Sequence, residues 1–199
     1  MEVTMDLIKK IRTQTGAGLN SVKEAIENSS SQEEVIQYLR KKGMAKSAKR
    51  AGKETNNGVI GNYLHTDKRL GVIVEVATET DFAAKSPDVV KFANDIALHI
   101  AAVGTLYVNE ELVPQEIKKK KKASVDVEGK PEEIAEKIKQ GKVDKFMQQN
   151  VLVHQNFFLD ESKKVSDLLN ELVAKVGEKI EITKFVRMQI ANPVISSNL

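Results

Sequence analysis

Three histidines are the side chains of this sequence best suited to general base catalysis or metal binding, and they are scattered. His65 falls on a predicted strand, His99 on a predicted helix and His154 in a predicted loop. None has a carboxylate or a second histidine at the spacing of a metal site, and neither an HExxH motif nor a nucleophile elbow is present. We therefore interpret His99, which lies in the apolar run 97–101, as a packing or interface residue rather than a catalytic one.

The composition removes further kinds of chemistry. The 199 residues include no cysteine, which excludes a thiol nucleophile, a disulfide framework, iron–sulfur ligation and cysteine-based zinc sites. No glycine-rich run ends in Gly-Lys-Ser or Gly-Lys-Thr, so a phosphate-binding loop is absent as well. We therefore expect neither an enzyme nor a bound cofactor or metal ion.

The most unusual local feature is the run Thr80-Asp81-Phe82. A predicted strand ends here and delivers an acid and a large aromatic side chain into a loop, just before a helix begins. An exposed phenylalanine is unfavourable unless it docks against something. From the residues alone, two alternatives are equally good: Phe82 covers the protein's own core, or it docks onto a partner.

The net charge of +3 is unevenly distributed. Residues 1–54 carry eleven basic and seven acidic side chains, a net charge of +4, whereas residues 55–199 have a net charge of −1. The basic excess lies between residues 40 and 53, and five consecutive lysines occupy 118–122. Both runs could neutralise phosphates, but they lack interleaved aromatic residues for base stacking, apart from Tyr38. We favour solvated helix faces over a nucleic-acid site.

Targeting and membrane signals are weak. No apolar run approaches the ~18 residues that a transmembrane helix needs. The N-terminal stretch alternates charged and apolar side chains and therefore does not resemble a secretory signal. We expect a soluble cytoplasmic protein that does not bind membranes.

Helical periodicity predicts three short helices before residue 44. Thr4 is placed to cap the first helix, and the second buries Val22. Ser31 and Glu34 form a capping box for the third, which Gly43 is placed to end at its C′ position. Three helices in about 45 residues make a very small bundle, near the limit of independent stability.

The pattern then changes to that of an α+β domain. Residues 58–65 and 69–78 are rich in Val, Ile and Tyr around a polar turn, which predicts a hairpin. Ser86 and Pro87 mark a helix start. Later segments predict helices over 109–122, 131–140, from Gly141 to Phe146 and over 165–176, and a strand over 180–190. We expect three strands in one antiparallel sheet with helices on one side.

This organisation gives four segments. They are a three-helix module over 1–43, a basic helical linker over 44–54, an α+β core over 55–191 and a flexible tail over 192–199.

Several motifs occur in an order that points to one family. TGAGL at 15–19 precedes VKEAI at 22–26, then VEV and TETDF follow within 74–82, HIAA at 99–102 and VGEKI at 176–180. In this order they resemble translation elongation factor Ts, and the resemblance is collinear over about residues 4–190. The length is similar to that of the shorter bacterial form, which has one copy of the core half-repeat instead of two.

The resemblance implies a UBA-like N-terminal module, an α+β core that can dimerise, and a guanine-nucleotide exchange factor for elongation factor Tu. Phe82 would wedge between helices of the GTPase, while Asp81 would perturb the groups that hold its Mg²⁺. Thr80 and Ala83 complete this exchange motif, and His99 would be a contact or support residue in the core. The implied contacts of the N-terminal module are Arg12, Gly16, Gly18, Leu19 and Val22.

The resemblance also sets expectations for partners. It implies no direct contact with nucleic acid, and the single half-repeat is consistent with a non-covalent homodimer. The alternative function is a basic RNA- or ribosome-binding module without exchange activity. Such a module would show a steep salt dependence of its RNA affinity, which neutralising the basic residues within 40–53 would abolish.

Overall fold

The computed structural model describes residues 3–15, 17–126 and 131–197, which form an α+β fold. Short 3₁₀ helices at Glu110–Leu112 and Leu152–His154 supplement the regular elements. In chain order the α-helices and β-strands are α1 Met5–Thr15, α2 Leu19–Glu27, α3 Gln32–Arg50, β1 Asn57–Leu64, β2 Leu70–Thr78, α4 Asp81–Ala84, α5 Pro87–Val103, α6 Gln115–Ala123, α7 Glu132–Asn150, β3 Asn156–Phe157, β4 Asp160–Lys164, α8 Val165–Val176, β5 Ile180–Gln189 and β6 Ile195–Ser196.

Packing divides the chain into two compact units. The first unit contains Met1–Val59, Val76–Lys91 and Ser166–Glu181. The second unit contains Ile60–Glu75, Phe92–Val165 and Ile182–Leu199. Each unit therefore joins segments that are distant in sequence. The domain boundaries drawn from the sequence stay a prediction.

Helices α1, α2 and α3 bury one apolar cluster in the first unit. The Thr4 hydroxyl accepts a hydrogen bond from the N–H of Leu7 across 3.3 Å and so caps α1 as predicted. The buried side chains of the cluster are Ile8, Ile11, Val22, Ala25, Ile26, Val35 and Leu39. Because α1 and α2 have only 11 and 9 residues, their stability comes from packing in this cluster rather than from helix propensity.

The predicted capping box at the start of α3 is confirmed with a small shift. Ser31 Oγ accepts from the N–H of Glu34 at 3.2 Å, and Glu34 Oε2 accepts from the N–H of Ser30 at 2.7 Å. The carboxylate thus reaches one residue further back than in the usual capping box. Two N–H groups at this end of the helix are satisfied.

The prediction that Gly43 ends α3 is wrong, because the helix continues to Arg50. A Cβ atom built on Gly43 would lie 3.4 Å from both the Ala174 Cβ and the Asn170 carbonyl oxygen of α8. The backbone of α3 therefore packs closely against α8. This contact outweighs the roughly 1 kcal/mol that a glycine costs inside a helix.

The main sheet has four antiparallel strands in the order β1-β2-β5-β6 and confirms the predicted fold class. Strand β6 was not predicted: Val186 pairs with Ser196 and Arg187 with Ile195. Ser197 Oγ also accepts from the N–H of Phe185 at 3.0 Å. Residues 195–197 therefore do not form a flexible tail. Two residues are too few for a hydrophobic pattern, and the edge of β5 supplies the pairing partners.

In the second unit, α7 runs unbroken through Gly141, which the sequence placed at a helix boundary. After the glycine, Val143 and Met147 of the helix join a buried apolar cluster. Before it, Ala135 is buried as well. A separate hairpin of β3 and β4 follows it and was not predicted.

The lysine run joins α6 to α7 and to the preceding 3₁₀ helix. Lys122 pairs with Glu136 at 3.0 Å, Lys118 lies 3.4 Å from Glu110, and the ammonium of Lys121 lies 5.0 Å from the ring centre of Phe146. Three of the five lysines thus have partners within the second unit.

Candidate functional site

Phe82 projects from the short helix α4, directly after β2, in the first unit. Its side chain is 83% exposed, whereas the adjacent Ala83 and Ala84 are buried. Thr80 caps the helix: its hydroxyl oxygen accepts from the N–H of Ala83 at 3.3 Å, and its carbonyl accepts from the N–H of Ala84 at 3.2 Å. Phe82 therefore does not cover the protein's own core, which removes one of the two alternatives for this residue.

Asp81 presents a charged carboxylate beside Phe82. Its Oδ2 accepts a hydrogen bond from Lys85 Nζ at 2.7 Å, one helical turn away. This bond, with the positive charge of the ammonium, lowers the pKa of Asp81 below its ordinary value. Asp81 and Lys85 are both exposed, so an approaching positive charge or metal-binding group can compete with the ion pair.

The turn between α8 and β5 holds the backbone just before Asp81. Glu178 accepts from the Thr80 N–H at 3.0 Å and from the Thr80 hydroxyl at 2.8 Å. Gly177 begins this turn with a φ of +82°, as expected for a glycine that ends a helix. The sequence motif VGEKI marked these residues without assigning a contact to them.

Glu79 forms a second connection to the same turn. Its carboxylate accepts hydrogen bonds from the N–H of Lys179 and, at 2.7 Å, from Arg50 at the end of α3. These two hydrogen bonds lower the pKa of Glu79 below its ordinary value, and the bond from Lys179 has the larger effect. The Asn57 side chain also donates to the Glu79 carbonyl at 2.9 Å. The segment before the exposed phenylalanine is therefore tied to α3, β1 and the α8–β5 turn.

An open cleft of about 350 Å³ lies beside this motif. Asp81 and Lys85 contribute its charged wall, and the other lining residues are mostly small or apolar. Its lining residues are Asn57, Gly58, Val59, Asp81, Ala84, Lys85 and Val90. Gly58 is required here, because a Cβ atom would lie 2.5 Å from the Val76 carbonyl oxygen.

The predicted contacts of the N-terminal module separate into exposed and buried side chains. Arg12, Gly18 and Leu19 are exposed, with Leu19 at 38%. Val22 is fully buried among α1, α2 and α3, so it supports this surface from below and has no area to offer a partner. Gly16 lies outside the described residues.

Gly18 is not constrained by the fold around it. It has φ −65° and ψ 152° at the N-cap of α2, and a Cβ atom there would meet nothing within 4 Å. The exposed N–H groups at this helix start and the absence of a side chain leave the backbone open to close approach.

His99 lies in the second unit, is fully buried, and is not a surface contact. Its Nε2 is 2.9 Å from Gln155 Oε1, and its ring stacks on Phe157 at 5.9 Å between centroids. Burial lowers the pKa of His99 below its ordinary value, against a smaller opposite effect of the Gln155 hydrogen bond. Of the two roles implied for His99, the structure favours support of the core over contact with a partner. His99 and Phe82 belong to different units.

Several charges of the basic stretch within 40–53 are paired. Lys42 pairs with Glu24, Arg50 with Glu79, and Arg40 Nε lies 3.7 Å from Glu171. These pairs reduce the positive charge available to phosphate groups.

The described part of the chain contains neither a cluster of metal-binding side chains nor a helix suited to a membrane. Within residues 3–15, 17–126 and 131–197, no group of three or more His, Asp or Glu side chains is arranged to hold a metal ion. No helix in this described part of the chain is long and apolar enough to cross a membrane.

Comparisons with known proteins agree over nearly the whole sequence. A family model described as Elongation factor TS matches residues 1–192. The chain is 44% identical to Elongation factor Ts of Thermotoga maritima over 193 residues, which cover 96% of this chain and 97% of the relative. It is 45% identical to Elongation factor Ts of Desulfotalea psychrophila over 196 residues, covering 96% and 99% of the two chains. For the Moorella thermoacetica relative the identity is 43% over 195 residues, with 96% of each chain covered.

Proposed function

Because the chain belongs to the elongation factor Ts family, we propose that it releases GDP from elongation factor Tu by inserting Phe82 into the GTPase. Its role in translation elongation follows from the family. The finer mechanism rests on one observation: an 83% exposed phenylalanine stands beside a charged aspartate on a capped turn. Such an arrangement costs stability in the free protein, and docking against a partner recovers that cost.

Phe82 and Asp81 have different parts in the proposed mechanism. The aromatic ring wedges between helices of the GTPase, and the carboxylate perturbs the groups that hold the Mg²⁺ bound there. That metal neutralises the charge of the nucleotide phosphates, so weakening its hold lowers the affinity for GDP. The exchange factor and GDP disfavour each other in the ternary complex, and this effect is reciprocal. No covalent bond changes, so the protein is not an enzyme in the chemical sense.

The N-terminal module supplies the second contact. Arg12, Gly18 and Leu19 present an exposed basic and apolar surface, and Val22 supports it from the core of the helices. The open backbone at Gly18 allows a partner helix to approach closely. Gly16 belongs to the same proposed loop by sequence position alone.

The proposed wedge is tested by GDP release from elongation factor Tu loaded with a fluorescent GDP analogue. Phe82→Ala should lower the stimulated release rate at least about tenfold, as expected for an aromatic anchor. Asp81→Ala should also slow release, and circular dichroism should show that both variants are folded. Phe158→Ala is the matched control, because Phe158 is 50% exposed but lies in the other unit. Wild-type release by the Phe82→Ala/Asp81→Ala double variant would rule the wedge out.

We propose a homodimer through the part of the main sheet that belongs to the second unit. Leu64, Ile73 and Met188, from β1, β2 and β5, are large apolar side chains that the folded chain leaves exposed. They line a common shallow depression with Val186 and Tyr63. A second copy of the chain can cover this face, as expected for one half-repeat in place of two.

Direct binding of nucleic acid is not part of the proposed function, and the proposed location is the cytoplasm. The ion pairs of Arg40, Lys42 and Arg50 support this choice over the RNA- or ribosome-binding alternative. If the alternative were correct, RNA affinity would fall steeply with salt and GDP release would be unaffected by the chain.

A further inference from the structure

Glu178 makes the most specific contact to the exchange motif. Its two carboxylate oxygens both accept hydrogen bonds from Thr80. Oε2 accepts from the Thr80 N–H at 3.0 Å, and Oε1 accepts from the Thr80 hydroxyl at 2.8 Å. Glu178 is 98 residues away from Thr80 in sequence. A bidentate contact of this kind restricts both the position and the rotation of the residue that it holds.

The bond to the hydroxyl also orients the cap of α4. A threonine hydroxyl has one proton and two lone pairs. Since the proton of Thr80 points to Glu178, a lone pair is left to accept the N–H of Ala83 at 3.3 Å. The Thr78 hydroxyl holds the other side of the residue, donating to the Thr80 carbonyl at 2.8 Å. The four-residue helix that carries Phe82 is thus fixed at its first turn.

Helix α4 is too short to be ordered by its own hydrogen bonds. A helix of four residues pays the cost of nucleation without the gain of propagation. An exposed phenylalanine on such a turn would be mobile, and ordering it on binding would reduce the free energy available for exchange. An external anchor removes that cost before the partner arrives.

We propose that Glu178 is a positioning residue for nucleotide exchange, which orders the Phe82 segment through its bidentate contact with Thr80. This inference rests on the proposed function, since exchange is the activity that it supports. In this proposal Glu178 acts through Thr80 and not through a contact with the partner. Glu79, held by Lys179 and Arg50, anchors the preceding residue, and the Thr80 N–H and hydroxyl both donate to Glu178.

The first experiment measures the mobility of the segment without any partner. The chain contains no tryptophan, so Phe82→Trp introduces a single indole at the wedge, and its time-resolved fluorescence anisotropy reports nanosecond motion there. In this background Glu178→Gln should lower the residual anisotropy, because the amide replaces one of the two acceptor oxygens with an NH₂ donor. Glu181→Gln is the matched control: Glu181 lies three residues further along and binds Thr55 and Lys179.

The second experiment measures exchange in chains that keep Phe82. Glu178→Gln should lower the GDP release rate at saturating exchange factor about tenfold, the effect of losing one hydrogen bond to a charged group. The half-saturating concentration should change less than about threefold, because the N-terminal module still makes its contacts. Glu181→Gln, which leaves both Thr80 contacts in place, should release GDP like wild type. Thr80→Val should match Glu178→Gln, and the double variant should add nothing further.

The two experiments together decide the role of Glu178. Lower anisotropy together with a lower saturating rate supports the proposal, and either change without the other overturns it. If Glu178→Gln does not fold, Thr80→Val takes its place under the same criteria. A wild-type chain that releases no GDP overturns the proposed function, whereas a wild-type-like Glu178→Gln beside an active wild type overturns only the role of Glu178.

Discussion

The backbone N–H of Phe158 donates a hydrogen bond to Nδ1 of His99 across 3.1 Å. The neutral imidazole therefore carries its proton on Nε2 and donates it to Gln155 Oε1 at 2.9 Å. Thr105 donates to the same oxygen at 2.7 Å. Protonation of Nδ1 would break the bond from Phe158 and place a charge in a buried site, so the folded state favours neutral His99.

The stability of the protein should therefore fall in acid because of His99. Its pKa in the folded state lies below the ordinary value of 6.5. The contribution of neutral His99 to the free energy of unfolding is complete above the ordinary pKa. It is lost as the pH falls through the pKa of the folded state. Urea unfolding measured between about pH 5 and pH 8 should show that the free energy of unfolding falls more steeply with decreasing pH for wild type than for His99→Gln. His65→Gln, a change on the exposed hairpin turn, serves as the control. Equal pH profiles of wild type and His99→Gln would contradict the prediction.

Replacing each of two glycines by alanine should change the stability of the protein in opposite directions. A Cβ atom on Gly61 would lie 2.3 Å from both the carbonyl carbon and oxygen of Ala93, so Gly61→Ala should destabilise the protein by about 3 kcal/mol. Gly141 lies within α7 with nothing within 4 Å of its Cβ position, so Gly141→Ala should stabilise it by about 1 kcal/mol. Urea unfolding measures both. A Gly61→Ala variant as stable as wild type would show that β1 and α5 are not in close contact there.

The ion pair of Asp81 and Lys85 should be visible in the titration of the carboxylate. Lys85→Met removes the main cause of the lowered pKa, so the pKa of Asp81 should rise towards its ordinary value of 3.8. Carboxyl ¹³C NMR shifts followed against pH measure this directly. Lys137→Met, which removes the comparable pair with Glu133 in α7, should leave Asp81 unchanged. A titration of Asp81 that is identical in Lys85→Met and wild type would mean that the pair does not form in solution.

The proposed dimer should depend on the exposed face of the sheet. Ile73→Glu and Met188→Glu place charges on apolar side chains that the monomer leaves exposed. Each should shift the sedimentation equilibrium from dimer towards monomer, because burying an unpaired carboxylate in the interface is unfavourable. Phe158→Glu, on the β3–β4 hairpin, is the control and should not affect association. A wild-type chain that sediments as a monomer would rule this interface out.

Local sequence signals predicted much of the framework correctly. The Ser31–Glu34 capping box, the helix start at Pro87 and the helix end at Gly177 all occur where the sequence placed them. Each depends on atoms within about one helical turn, so the neighbouring residues are sufficient to specify it. The sequence also singled out the acid and aromatic pair at 81–82 through its position between a strand and a helix, but it left open whether Phe82 is exposed or covers the core.

Contacts between distant segments were decided by the tertiary structure. Helix α3 continues past Gly43 because α8 supports it, and β6 exists because the edge of β5 pairs with it. Sequence spacing gave no indication that Glu178 would bind Thr80, since their hydrogen bonds require the α8–β5 turn to meet the end of β2. Residue types and local order thus determined most of the helices, the β1–β2 hairpin, strand β5 and which residue pair is unusual. Which side chains are buried, and which hold that pair in place, depended on partners that only the folded chain brings together.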